Sequence, residues 1–248
     1  MIKIILALLL SGVLYAQAAP VPPTKKILVF SKTTGFRHDC IPTAKQAIMQ
    51  LGATHGFAVD TTEDASVFTT ANLQQYAAVI FSCTTGDVLN DAQQTAFQAY
   101  IRQGGGFVGI HAATDTEYDW PWYNRLVGAW FLSHPRQQTA TLLVTDTAHP
   151  ATRHLPANWV RKDEWYNFKD LNPDVTVLIK IDESSYEGGQ NGDYHPMCWY
   201  HAFEGGRAFY TAMGHTIASY QDPLYLQHLL GGIQYAIGNW HPKKTSLP

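Results

Sequence analysis

The sequence predicts an α/β fold: a three-layer, doubly wound, mostly parallel sheet to which the second half of the chain adds extra strands. Three observations carry this expectation. Short β-branched and aromatic runs alternate with amphipathic helical segments as far as Ile110. The connections between them are short and rich in Ser, Thr and Gly. The 248 residues are 46% hydrophobic and 15% charged, which supports one sizeable core and excludes a disordered or fibrous chain.

The elements follow in order. Lys3, an apolar run from Ile4 to Leu10 and on through Leu14, then Ala16-Gln17-Ala18 have the pattern of a signal peptide. It is expected to span residues 1–19 and to be cleaved near Ala18 or Ala19. The run is short for a membrane span, and no Cys follows it to carry a lipid. The expected product is therefore exported, periplasmic or secreted, with no membrane anchor. Pro20, Pro22 and Pro23 form an extended lead, and a single domain is expected over 25–241.

Lys25 to Phe30 reads as a buried parallel strand. A helix follows from about Ile41 to Leu51, with Ala44, Ala47, Ile48 and Leu51 on one face. Phe57 to Val59 and Tyr76 to Ser82 are the next strands. Asn90 and Gln93 form a capping-box pattern ahead of a helix whose apolar face is Ala92, Ala96, Phe97, Tyr100 and Ile101. Gly104-Gly105-Gly106 stops it, and Phe107 to Ile110 is a fourth strand. In the second half, Thr139–Val144, Val175–Ile181, Cys198–Phe203 and Arg207–Thr211 read as strands, the last two joined as a hairpin through Gly205-Gly206. A final helix opens at Asp222-Pro223, with Leu226, Leu229, Leu230, Ile233, Ala236 and Ile237 at helical spacing.

Several function classes are disfavoured at once. Cleavage removes Lys3 and takes the formal net charge from −3 to −4. A weakly acidic chain without a basic cluster is not built for nucleic acid. Cys40, Cys83 and Cys198 are far apart and include no C-x-x-C, so neither a zinc ribbon nor a redox motif is expected. At most one disulfide can form, and buried thiols are the simpler reading.

In doubly wound sheets ligands collect beyond the carboxyl ends of the strands. That rule selects the loop Thr33 to His38 and the segment Gly109-Ile110-His111-Ala112-Ala113-Thr114-Asp115. The latter has the layout of a nucleophile elbow with His at the elbow position, so the attacking atom of acyl transfer is missing. His38, His111, Asp115 and Glu164 are the candidate catalytic groups, suited to proton transfer. His111 and Asp115 are four apart and point the same way on a helix or tight turn. His38, His111 and His215 can equally serve a divalent ion such as zinc, but there is no H-E-x-x-H spacing and no cofactor is implied outright. Trp120-Pro121-Trp122, expected in a loop, together with Tyr166 and Trp199, can present flat apolar faces to a sugar ring. Arg37, Arg207, His195 and His215 can bond its hydroxyls. For Arg207 a solvated salt bridge is the plainer alternative, as packing is for some of the tryptophans. His134, His149, His55, His154, His228 and His241 are read as structural or exposed.

The set Gly35-Phe36-Arg37-His38, Gly109 to Asp115, Asp163-Glu164-x-Tyr166-x-Phe168, His195-Pro196-x-x-Trp199 and Gly206-Arg207-x-Phe209-Tyr210-x-x-x-Gly214-His215 resembles the ThuA-like (trehalose-utilisation) family. The resemblance runs from about Lys26 to Trp240. It implies a class I glutamine-amidotransferase-like, flavodoxin-like sheet without the nucleophilic cysteine, and a small-molecule carbohydrate as ligand. Three readings remain. The chain is an enzyme of disaccharide, glucoside or keto-sugar use, by proton abstraction next to a carbonyl or by glycosidic cleavage. It is a sugar-binding module without turnover. Last, it is an amidotransferase or peptidase, which needs one of the three thiols to act.

Overall fold

The computed structural model describes residues 25–242, so the signal peptide expected at 1–19 lies outside the described residues. Among the described residues no helix is long and apolar enough to cross a membrane. Strands β1 (Lys26–Phe30), β2 (Ala58–Thr62), β3 (Ala78–Ser82) and β4 (Gly106–Ile110) appear where β-branched and aromatic runs were expected. β3 and β4 are buried along their whole length, which continuous apolar runs allow and alternating ones do not. Between them lie α1 (Ile41–His55), the short α2 (Thr70–Leu73) and α3 (Asp91–Arg102). The capping box opening α3 is formed in both directions between Asn90 and Gln93. α1 runs one turn past Leu51 and ends at Gly56, whose φ of 76° admits the left-handed cap.

The second half contributes α4 (Pro121–Val127), β5 (Trp130–Ser133), β6 (Gln138–Val144), β7 (Asn158–Asp163), β8 (Asn167–Lys169), β9 (Thr176–Ile181), β10 (Pro196–Phe203), β11 (Gly206–Thr211) and α5 (Pro223–Ala236). β5, β7 and β8 were not expected. β7 alternates exposed and buried residues, but its sequence Asn-Trp-Val-Arg-Lys-Asp inverts the usual polarity: Val160 faces outward while Arg161 and Asp163 are buried. The β10–β11 hairpin turns at Glu204 and Gly205, both at positive φ, as a tight primed turn requires.

The nine-stranded sheet has the order β2-β1-β3-β4-β11-β10-β9-β6-β7. The first five strands are parallel neighbours, and the remaining four pairings are antiparallel. Only β10 and β6 run against the rest, so the sheet is mostly parallel in direction. β5 and β8 pair separately. Phe107 faces Phe97 of α3 and Tyr123 of α4, whereas Phe209 faces His228 of α5, and α1 touches α5. Phe107 pairs with Ala208, so it and Phe209 lie on opposite faces. That makes three layers.

In a flat sheet β7 would stand about 19 Å from β11, four strand spacings away. Yet Asp163 at the end of β7 accepts a hydrogen bond of 3.0 Å from the Gly214 amide just beyond β11. The antiparallel half therefore curls back over the carboxyl ends of the parallel strands. Arg161 fixes the closure from inside, its guanidinium lying over the rings of Trp159 and Tyr225.

Candidate active site: a buried histidine and glutamate cluster

Four side chains from four separate strand ends converge. His38 follows β1, His111 follows β4, Glu164 follows β7 and His215 follows β11. Each offers one ligand atom, and these four atoms lie within 4.8 Å of one another. Glu164 Oε2 is 3.0 Å from His215 Nδ1 and 3.4 Å from His111 Nε2, and the two histidine nitrogens are 3.0 Å apart. The His38 ring stands edge-on to the rings of His111 and His215.

The local chain is built to hold this. His111 has φ 50°, a left-handed conformation that costs a non-glycine residue on the order of 1–3 kcal/mol unless its surroundings fix it. Tyr210 does so by donating its hydroxyl to the His111 carbonyl at 2.7 Å. The elbow expected from sequence is thus present, as a tight turn over His111–Thr114. The Ala212 carbonyl lies 2.8 Å from His111 Nδ1. A carbonyl only accepts, so Nδ1 carries the hydrogen and Nε2 turns its lone pair to the cluster. Asp163 supplies the other brace. Fully buried, it accepts from the amides of Glu164 and His215 at 3.0 and 3.2 Å, from Ser219 Oγ and Gly214 N, and from Arg161 Nη2 at 3.1 Å.

Electrostatics follow from burial and neighbours. Burial pushes the His38 imidazole down to about 3, reinforced by the positive charge of nearby His111 and His215, so His38 is neutral at physiological pH. For Glu164, burial alone would raise the carboxyl, but hydrogen bonds from His111 and His215 outweigh it and hold the group well below the ordinary carboxylate range. Asp115 goes the other way. Its burial raises it, against a 2.7 Å hydrogen bond from the Tyr118 hydroxyl.

The donor set can hold a metal ion. Three imidazoles and a carboxylate are ordinary zinc ligands, and four donors about 2.1 Å from one ion sit roughly 3.0–3.4 Å apart. The spacings around His215, His111 and Glu164 match this. His38 Nδ1 is buried with no hydrogen-bond partner among the described residues. An orphaned imidazole beside a carboxylate is costly unless something else satisfies it.

Beside the cluster lies a cavity of about 330 Å³ lined by Phe36, His38, Asp115, Phe131, His134, Glu164, Tyr166 and His215. His38, Asp115, Glu164, Tyr166 and His215 are thus gathered at one mouth, with His111 immediately behind and its ring 4.3 Å from that of Tyr166. The other expected site residues are not. Arg37 is exposed and paired with Glu63 at 2.8 and 3.0 Å. Trp120 and Trp122 are not in an open loop: Pro121 starts α4, and the two indoles stack on each other in the core. Trp199 is fully buried and donates to the Val127 carbonyl. Arg207 lies at the start of β11, the opposite end of the strand from His215, and bonds the carbonyls of Ala236 and Gly104. His195 is buried between Glu183 and the Tyr166 carbonyl, where it braces Tyr166 from behind.

Sequence reasoning missed His134, whose Nδ1 is 3.3 Å from Glu164 Oε1, and the cavity walls Phe36 and Phe131. The only local signal for His134 was a His at the end of the Trp130–Ser133 run. The thiols do not serve as a nucleophile. Cys83 is buried with its Sγ 3.6 Å from Cys40 Sγ, and the Cys40 contact and burial push its thiol well up.

Fold and site together define a class: a glutamine-amidotransferase-like sheet carrying a histidine and carboxylate centre at the elbow in place of a thiol. The family model for ThuA, trehalose utilisation, matches residues 26–236, and the chain belongs to that family. A ThuA-like protein from Bacteroides uniformis ATCC 8492 is similar at 25% identity and a TM-score of 0.72, covering 89% of this chain and 94% of its own. Another from Parabacteroides merdae ATCC 43184 is similar at 22% identity and a TM-score of 0.73, with 90% and 93% covered. A GMP synthase protein from Thermoplasma acidophilum shares the fold at 10% identity and a TM-score of 0.54, over 86% of this chain and 94% of its own. Comparison with the curated proteins gave no match.

Proposed function

We propose that the chain is an exported enzyme of carbohydrate use, acting on a glucoside, disaccharide or keto-sugar by histidine and carboxylate acid–base chemistry. The observation that carries this is the convergence of His38, His111, Glu164 and His215 at the wall of a cavity of sugar size. His38, His111, His215 and Glu164 would hold a divalent ion such as zinc. Bound there, it would supply Lewis-acid polarisation of a sugar oxygen.

The protein's own groups do the rest. Asp115 and His134 border the same cavity, within reach of a ring bound there, and suit the exchange of protons with carbon-bound or hydroxyl hydrogens. Tyr166 and Phe131, whose rings are 4.3 Å apart, offer an apolar face to the ring and exclude water. The family description, trehalose utilisation, supports a carbohydrate as ligand.

The test is direct. Protein purified without chelator is assayed for bound metal, and for turnover and binding of a panel of glucosides and their keto derivatives. About one divalent ion per chain is expected, lost in His111→Gln and Glu164→Gln. Turnover should fall by roughly 10²-fold or more in these variants while sugar binding persists. Binding of a sugar without any turnover by the intact protein would make the chain a sugar-binding module instead. Failure to bind any sugar would refute the reading altogether.

A further inference from the structure

A second cavity, of about 230 Å³, adjoins the first. It is lined by Phe36, Asp39, Cys40, Gln137, His215, Thr216 and Ile217. Phe36 and His215 line both compartments and so form the partition between them. Phe36 is the most exposed large apolar side chain among the described residues, at 67%. Its ring is held upright, edge-on to His38 at 4.9 Å. Nothing in the fold uses that ring, and an exposed phenyl between two cavities is a platform without its ligand.

The compartments differ in character. The inner one carries the histidine and glutamate cluster and the aromatic walls. The outer one offers Asp39 and Gln137, both exposed, whose side chains make no hydrogen bond to other described residues, over a floor that includes Ile217, 46% exposed. Free polar groups above an apolar floor suit a ring with hydroxyls on its edge and C–H bonds on its face. The inner volume is at the low end of the ~300–1,000 Å³ of small-molecule sites, and the outer one is below it. Each accommodates one ring-sized unit.

We infer that the site is a two-compartment cleft for a ligand of two linked sugar units. The unit to be transformed lies against the cluster, and the second is held by Asp39, Gln137 and Ile217. The link between them crosses Phe36 and His215. Asp39 and Gln137 are then specificity residues for the second unit, with no part in the chemistry. The inference rests on the carbohydrate reading above and extends it to the size of the substrate.

Calorimetric titration of the intact chain with methyl α- and β-glucosides and with trehalose, maltose and cellobiose tests it. The best disaccharide should bind at least tenfold more tightly than the best methyl glucoside. Asp39→Ala/Gln137→Ala, at two exposed positions that leave the core untouched, should erase about tenfold of disaccharide affinity and leave methyl glucoside binding unchanged. Phe36→Ala should weaken both. Equal binding of one-unit and two-unit ligands, or a double variant that weakens both alike, overturns the second compartment while the carbohydrate reading stands. If none of these sugars binds, both fall.

Discussion

Replacing Asp163 with Asn tests how the cluster is held. Asp163 is fully buried and accepts five hydrogen bonds, two at Oδ1 and three at Oδ2. An amide at this position keeps one acceptor and turns an NH₂ group toward donors that it cannot satisfy. The Arg161 side chain, only 7% exposed, would be left with Asp222 at 3.7 Å as its sole remaining carboxylate. Breaking a buried ion pair by removing one partner costs about 3–5 kcal/mol; since Asn keeps part of the network, about 3 kcal/mol is expected. For a chain of this size that lowers the melting temperature by roughly 6–12 °C. Because the Glu164 and His215 amides lose their anchor, zinc affinity should fall by about 10–100-fold. Urea unfolding followed by tryptophan fluorescence measures the first effect, and zinc competition with a chromophoric chelator the second. If Asp163→Asn leaves stability within about 1 kcal/mol of the parent, far less than a broken buried pair costs, and zinc binds equally well, the view that Asp163 fastens the curled half of the sheet to the site is refuted.

Two other outcomes follow from buried groups. Burial pushes His228 down to about 3 in the folded chain, against about 6.5 when unfolded, so between these values the unfolded state binds the extra proton and stability falls as pH falls. From pH 7.5 to 5.5 this one residue should cost about 1.4 kcal/mol of stability, and urea midpoints for His228→Gln should show that much less pH dependence; an unchanged slope would contradict it. Cys40, Cys83 and Cys198 are all buried and free, so a thiol reagent should modify the folded protein slowly, leave any sugar turnover intact, and titrate three thiols after unfolding. Rapid loss of activity on alkylation would revive a thiol mechanism.

Much of the parallel half was legible because its signals are local. β1, β3 and β4 announce themselves as continuous apolar runs, α3 by its capping box, and α5 by Asp222-Pro223 and its apolar spacing. His38 and His111 could be paired in advance because strand ends of a parallel sheet share one edge. The tryptophans could not be placed the same way. Trp120, Trp122 and Trp199 have the composition of a sugar platform, yet their indole nitrogens find partners at Glu204 for Trp122 and Val127 for Trp199 inside the protein; residue type reports what a ring can do, not which side of the core it faces. Arg207 carries a family-like motif, but a strand has two ends, and it sits at the one remote from the cavity.

Local chemistry therefore settled the order of strands and helices in the first half, the elbow at His111 and the absence of a nucleophile there. The completion of the site was decided by the fold as a whole. Glu164 and His134 come from the antiparallel extension, whose β7 is an edge strand with a charged sequence and an inverted polarity. They reach the cluster only because that half curls back and Asp163 is tied to the loop beyond β11. Such a closure depends on contacts between residues some fifty positions apart, and no periodicity or spacing along the chain records contacts of that kind.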